Sequence, residues 1–172
     1  MSRPASPRRH LAKTFGWMVV VWFLALVALP VVLRFVELLL GIERHLLPGG
    51  RVLGAAVLVA ASIAGIRCAV VMARGEGTPV PFDAAARLVV EGPYRWVRNP
   101  MAVCGVGQTV GVALLLGRPL YYLVPPAGAL LWQFVIRPSE ERFLAQRFGA
   151  EYAGYRRTVP LWIPRRPRRV PR

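Results

Sequence analysis

The chain has 172 residues, of which 55% are hydrophobic and 18% charged. That balance excludes an ordinary water-soluble domain of this size and names the membrane as the natural solvent. A formal net charge of +15 would suit nucleic acid, but the basic residues are almost all Arg, sit at the chain ends and between apolar runs, and accompany no nucleic-acid motif.

Residues 1–14 carry Arg3, Arg8, Arg9 and Lys13 among Pro and Ser and read as a basic tail lying against anionic headgroups. Residues 15–33 are apolar for one bilayer's worth of helix, with Trp17 and Trp22 near one end and Pro30 placed to kink it. Because this run is long enough to span and no small-residue cleavage site follows it, no cleavable signal is expected. Arg34 and Glu37 follow at i, i+3 spacing, suited to a pair at the outer interface. Residues 52–73 form a second expected span, where Ala61 and Gly65 are spaced for close helix contact. Arg67 lies inside it near the end, in reach of the interface by snorkelling.

The stretch 74–100 is polar, holds Thr78-Pro79-Val80-Pro81 and Gly92-Pro93, and is too long for a tight turn, so a structured loop is expected. Residues 101–117 and 119–136 are apolar again. The first has Gly107 and Gly111 as a GxxxG; the second has Pro125-Pro126 placed to break or kink it. Ser139 then reads as the cap of a helix that runs to Phe148 and ends at Gly149. The region 137–164 faces the same side as 74–100, and 165–172 is a second basic tail.

The fold expected is therefore all-α: a polytopic membrane protein forming one domain over residues 1–172, with about four transmembrane helices and a cytoplasmic C-terminal helix. Four Lys or Arg fall in the amino-terminal tail, four in the 74–100 loop and ten from Arg137 onward. The positive-inside rule then places both termini in the cytoplasm, at the inner membrane if the source is bacterial. Cys68 and Cys104 sit inside apolar runs with no ligand spacing around them, so they read as packing residues and no metal site is expected.

Chemistry-bearing residues collect in two places. One is Gly92-Pro93-Tyr94-Arg95-Trp96-Val97-Arg98-Asn99-Pro100-Met101; the other runs from Glu140-Glu141 through Phe148-Gly149, Tyr152 and Tyr155 to Trp162-Ile163-Pro164. In order and content these elements resemble the isoprenylcysteine carboxyl methyltransferase and phospholipid methyltransferase superfamily. Gly75-Glu76-Gly77-Thr78-Pro79 is similar to a segment of its bacterial members. Two positions depart from the pattern: Asn99 stands where many relatives carry His, and Ala102 where Tyr often follows the Pro. Asparagine keeps a hydrogen-bonding role but does not titrate near neutral pH, so proton transfer at this position is not expected.

The resemblance implies S-adenosyl-L-methionine as cofactor and methyl transfer to a lipophilic acceptor, a prenyl-like carboxylate or a lipid amine, at the cytoplasmic interface. It assigns Arg98 and Glu141 as catalytic, and Tyr94, Arg98, Asn99, Pro100, Met101, Glu140, Glu141, Tyr152 and Tyr155 as cofactor-binding. The residue types suit that ligand independently. An ammonium wants carboxylates, a carboxylate wants Arg, and a sulfonium favours aromatic surface. Plainer readings exist for each: the helix dipole for Glu140 and Glu141, capping for Asn99-Pro100, snorkelling for Arg95 and Arg98, an aromatic belt for Tyr152, Tyr155 and Trp162. Rival functions are an NADPH-dependent lipid reductase on a related scaffold and a non-catalytic membrane module.

Overall fold

A computed structural model describes the backbone of residues 7–75 and 87–165, and the side chains of those ranges from Phe15 onward. The expected Glu76-Gly77-Thr78-Pro79 segment and the last arginines, Arg166 to Arg172, lie outside the described residues. Every regular element described is helical: α1 (Pro7–Phe23), α2 (Leu29–Leu39), α3 (Gly50–Arg74), α4 (Pro100–Leu116), α5 (Val124–Leu131) and α6 (Arg137–Thr158). Two runs, Phe15–Leu39 and Gly50–Arg74, are long and apolar enough to cross a membrane. Large apolar side chains point outward along them, Phe35, Leu39 and Val52 among the most exposed, as lipid-facing helices require.

The tail expected over residues 1–14 is helical from Pro7. The first span also continues past residue 33 to Leu39, through a π-turn at Leu24–Ala28. Pro30 explains that turn. The Leu29 N–H bonds the Leu24 carbonyl in the wider π register, and Pro30, having no N–H, leaves the next carbonyl, Ala25, without a helical donor. The Tyr121 hydroxyl donates to the Ala25 oxygen at 2.6 Å instead. The same device recurs before Pro138. A π-turn spans Trp132–Ile136, the Arg137 N–H bonds the Trp132 oxygen, and the guanidinium Nε of Arg137 donates to the orphaned Gln133 carbonyl at 3.2 Å.

This second turn joins α5 to α6 without a break, so Ser139 is not a cap. It lies within the helix, its hydroxyl donating back to the Ile136 carbonyl at 2.7 Å. Pro125-Pro126, expected to break or kink the run 119–136, stand where the 3₁₀ turn Leu120–Leu123 gives way to α5. They occupy the first turn of α5, where a missing N–H costs nothing. The helical geometry stops at Gly149 as expected, with φ 48° and ψ −120°, and a second helical stretch follows it across the kink to Thr158.

The closest helix pair is α3 with α4. A Cβ on Gly54 would stand 2.7 Å from the Gly111 carbonyl oxygen, one on Gly111 2.8 Å from the Leu58 backbone nitrogen, and one on Gly107 3.2 Å from the Ala61 Cβ. The GxxxG and small-residue signals therefore mark a real crossing. At the far end, Glu37 is fully buried but does not pair with Arg34. It accepts from Arg118 Nη1 at 3.2 Å and from the Leu120 N–H at 2.8 Å, because α2 brings it against the α4–α5 turn. Arg44 Nε donates to the Leu116 carbonyl at 2.6 Å and closes the end of α4.

Gly54→Val forces α3 and α4 apart and should lower the thermal unfolding midpoint sharply, whereas Gly105→Ala, with open space at its Cβ position, should leave it within experimental scatter. Glu37→Ala leaves Arg118 and the Leu120 N–H without their acceptor and should cost about 3 kcal/mol in reversible unfolding in detergent.

Candidate active site

The site forms where the amino-terminal end of α4 meets the start of α6. Asn99 caps α4: its Oδ1 accepts from the Ala102 N–H at 3.0 Å, and Pro100 fills the first helical position. That use of Oδ1 aims the amide nitrogen outward, and Nδ2 donates to Glu140 Oε2 at 3.0 Å. Arg98, one residue earlier, places Nη1 2.6 Å from Glu141 Oε1. Arg137, one helical turn before Glu141, reaches its other oxygen at 3.5 Å. The capping reading and the ligand-facing reading of Asn99 are thus compatible, since one atom of the amide serves each.

Glu140 and Glu141 are adjacent but electrostatically unlike. Glu141 lies between two guanidinium groups. Glu140 has only the Asn99 amide, and burial pushes its carboxyl above the ordinary value of 4.5, with Glu141 adding to the shift and the amide opposing it. The Arg98 backbone N–H donates to the Pro160 carbonyl at 2.9 Å. The segment after α6 is thereby drawn back under the site. Trp162 fixes that return: Nε1 donates to Gln133 Oε1 at 2.9 Å, and its ring meets Trp132 edge-on at 5.0 Å.

Tyr152 and Tyr155 share a face of α6 as their spacing requires, but both are buried in a cluster with Val159, Leu144 and Phe148. The Tyr155 hydroxyl donates to the Tyr94 carbonyl at 2.7 Å. Tyr155 therefore braces the Gly92–Arg95 turn. Burial raises the Tyr94, Tyr152 and Tyr155 hydroxyls above the usual phenol range, so all three are neutral at physiological pH. Among the described residues, Tyr94 Oη and Arg98 Nε are buried here without a hydrogen-bond partner.

Asn99, Met101 and Glu140 border a cavity of about 530 Å³ that rises between α1, α4 and α5. Its walls are apolar, with Trp17, Trp22 and Trp132 among them, and Glu140 is the one acid among its lining residues. Of the residues expected at the site, Tyr94, Arg98, Asn99, Glu140, Glu141, Tyr152 and Tyr155 are joined directly or through one intermediate, Tyr152 through the Arg98 side chain. Met101 reaches the cavity; Pro100 faces a different recess, and neither Tyr152 nor Tyr155 lines the cavity. Arg137, Pro160 and the three tryptophans were not readable as site residues, although the i, i+4 spacing of Arg137 and Glu141 was a usable signal.

The raised Glu140 carboxyl has a consequence for stability. Its folded-state value exceeds the unfolded one, so the folded chain holds that proton more tightly. Its contribution is full below 4.5 and is lost as pH rises through the raised value. Glu140→Gln keeps the shape without the charge, and should flatten the decline of the unfolding midpoint as pH rises above 4.5, measured by thermal unfolding.

The phospholipid methyltransferase family matches residues 51–151, which hold α3, α4, α5 and the first part of α6. Among curated proteins, the cobalt-zinc-cadmium resistance protein CzcN of Cupriavidus metallidurans is 38% identical over 79 residues, 45% of this chain and 36% of that protein. The protein-S-isoprenylcysteine O-methyltransferase B of Arabidopsis thaliana is 31% identical over 80 residues, 45% of this chain and 40% of that one. The protein-S-isoprenylcysteine O-methyltransferase of Schizosaccharomyces pombe is 35% identical over 79 residues, 45% of this chain and 33% of that one. The matched stretch is two fifths or less of each relative's length. No solved structure matches the chain significantly. With the family's match covering more than half of its residues, and with the two glutamates and their cationic and amide partners inside that match, the chain belongs to the phospholipid methyltransferase family.

Proposed function

We propose that this protein transfers a methyl group from S-adenosyl-L-methionine to a lipophilic acceptor, either a prenyl-like carboxylate or a lipid amine. The observation that carries the reading is the placement of Glu140 and Asn99 at the polar end of an apolar cavity, backed by the Arg98–Glu141 ion pair. Family membership favours methyl transfer over NADPH-dependent reduction. The topology that goes with it is one domain with four spans and both termini in the cytoplasm, the site then lying at the cytoplasmic interface.

The residues fit the cofactor. Arg98 Nε and the Tyr94 hydroxyl are buried donors with no acceptor among the described residues, as a carboxylate ligand requires. Arg98, Tyr94 and Asn99 would hold it together with Glu140 and Glu141. When bound, it supplies an electrophilic methyl group on a sulfonium whose charge is lost on transfer. The chain's own part is orientation and exclusion of water. Arg137 and Arg98 lock Glu141, the Asn99 amide locks Glu140, and the apolar walls keep the acceptor's tail out of water. A carboxylate acceptor needs no base, whereas an amine must first lose its proton.

Calorimetry of S-adenosylhomocysteine with the detergent-purified protein tests this. Binding in the micromolar range is expected, weakened about tenfold or more in Glu141→Gln because a charge-assisted bond to Arg98 is removed. No binding by a folded protein, or equal binding by the variant, overturns the assignment.

A further inference from the structure

A second recess lies across α4 from the cavity that Glu140 borders, and no residue lines both. It is a groove of about 1090 Å³ between α3 and α4, bordered at one end by the Gly92–Arg95 turn. Its α3 wall is a broad helix face centred on Ala60, Ala64, Arg67, Val71 and Arg74, with Ile66 and Cys68 at its two edges. The small side chains at 60 and 64 leave the trough open.

Arg67 and Arg74 stand two turns apart on that face, about 10 Å along the axis. Arg95 borders the same groove from the facing turn, with Trp96 exposed at the rim. Among the described residues no acid lines the groove, and none of these three guanidinium groups has a hydrogen-bond or ion-pair partner. A charge two turns inside an apolar helix is costly without a counter-charge or water. Guanidinium groups around an apolar trough are the complement of a phosphate joined to a hydrocarbon chain.

We propose that this groove binds an anionic phospholipid, with its phosphate among Arg67, Arg74 and Arg95 and one acyl chain along Ala60, Ile63 and Ala64. The lipid is a resident of the fold and not the methyl acceptor, because α4 separates it from the cavity. It would rest against Val97 and Pro100, the residues flanking Arg98 and Asn99, and so back the loop that holds both glutamates.

The test is native mass spectrometry of the full chain offered phosphatidylglycerol and phosphatidylcholine in equal amounts. One phosphatidylglycerol should be retained in preference. Its occupancy constant should fall about tenfold in Arg67→Gln/Arg95→Gln, fall likewise when Ala64→Trp fills the trough, and stay unchanged in Arg165→Gln, outside the groove. Should the double variant not fold, Arg95→Gln alone, in an exposed turn, decides. Equal retention of the two lipids, wild-type retention in the groove variants, or displacement by inorganic phosphate alone overturns the proposal.

Discussion

The close crossing of α3 and α4 is the constraint on which the rest depends. Lipid offers no hydrophobic drive between helices, so association comes from backbones approaching closely enough to pack. Gly54 against Gly111, and Gly107 against Ala61, remove the side chains that would prevent it. Once α4 is fixed against α3, its amino terminus is fixed too, and with it the Asn99 cap and the turn before it. The two recesses on either side of α4 follow from the same placement: the apolar cavity toward α1 and α5, the basic groove toward α3.

Proline and the accounting of backbone carbonyls shape the remaining helices. Where no water is at hand, a carbonyl that loses its helical donor must find another. Before Pro30 the replacement is the Tyr121 hydroxyl, which ties the first span to the α4–α5 turn. Before Pro138 it is the guanidinium of Arg137, whose Nη1 also reaches Glu141. A single side chain thus repairs the helix and helps to hold the glutamate. The uninterrupted run from α5 into α6 carries both glutamates from the apolar layer directly to the polar end of the cavity.

The two glutamates illustrate how neighbours on one helix acquire different electrostatics. Glu141 meets two cations and serves as the fixed anion of the site. Glu140 meets a neutral amide in a drier place and has its carboxyl raised. Asparagine at position 99 suits that arrangement, because its amide donates to Glu140 while its oxygen caps α4; neither task needs a group that titrates.

Local chemistry in the sequence determined the helical class, the apolar runs and the small-residue crossing of α3 and α4, while the grouping of Tyr94, Arg98, Asn99, Glu140 and Glu141 came from the resemblance in motif order. Hydropathy, glycine spacing and cap residues act within a few positions and need no partner to be read. Only the tertiary structure decided the partners. Glu37 takes Arg118 over its sequence neighbour Arg34, Tyr155 takes the Tyr94 carbonyl, and Arg98 takes the Pro160 carbonyl. Each of these joins segments tens of residues apart, and periodicity carries no information about which distant carbonyl or guanidinium a helix will meet. Ser139 departs from its expected role for the same reason. A capping residue marks where a helix is able to start, but the π-turn at Trp132–Ile136, with Arg137 covering the orphaned carbonyl, carries α5 into α6 without a break.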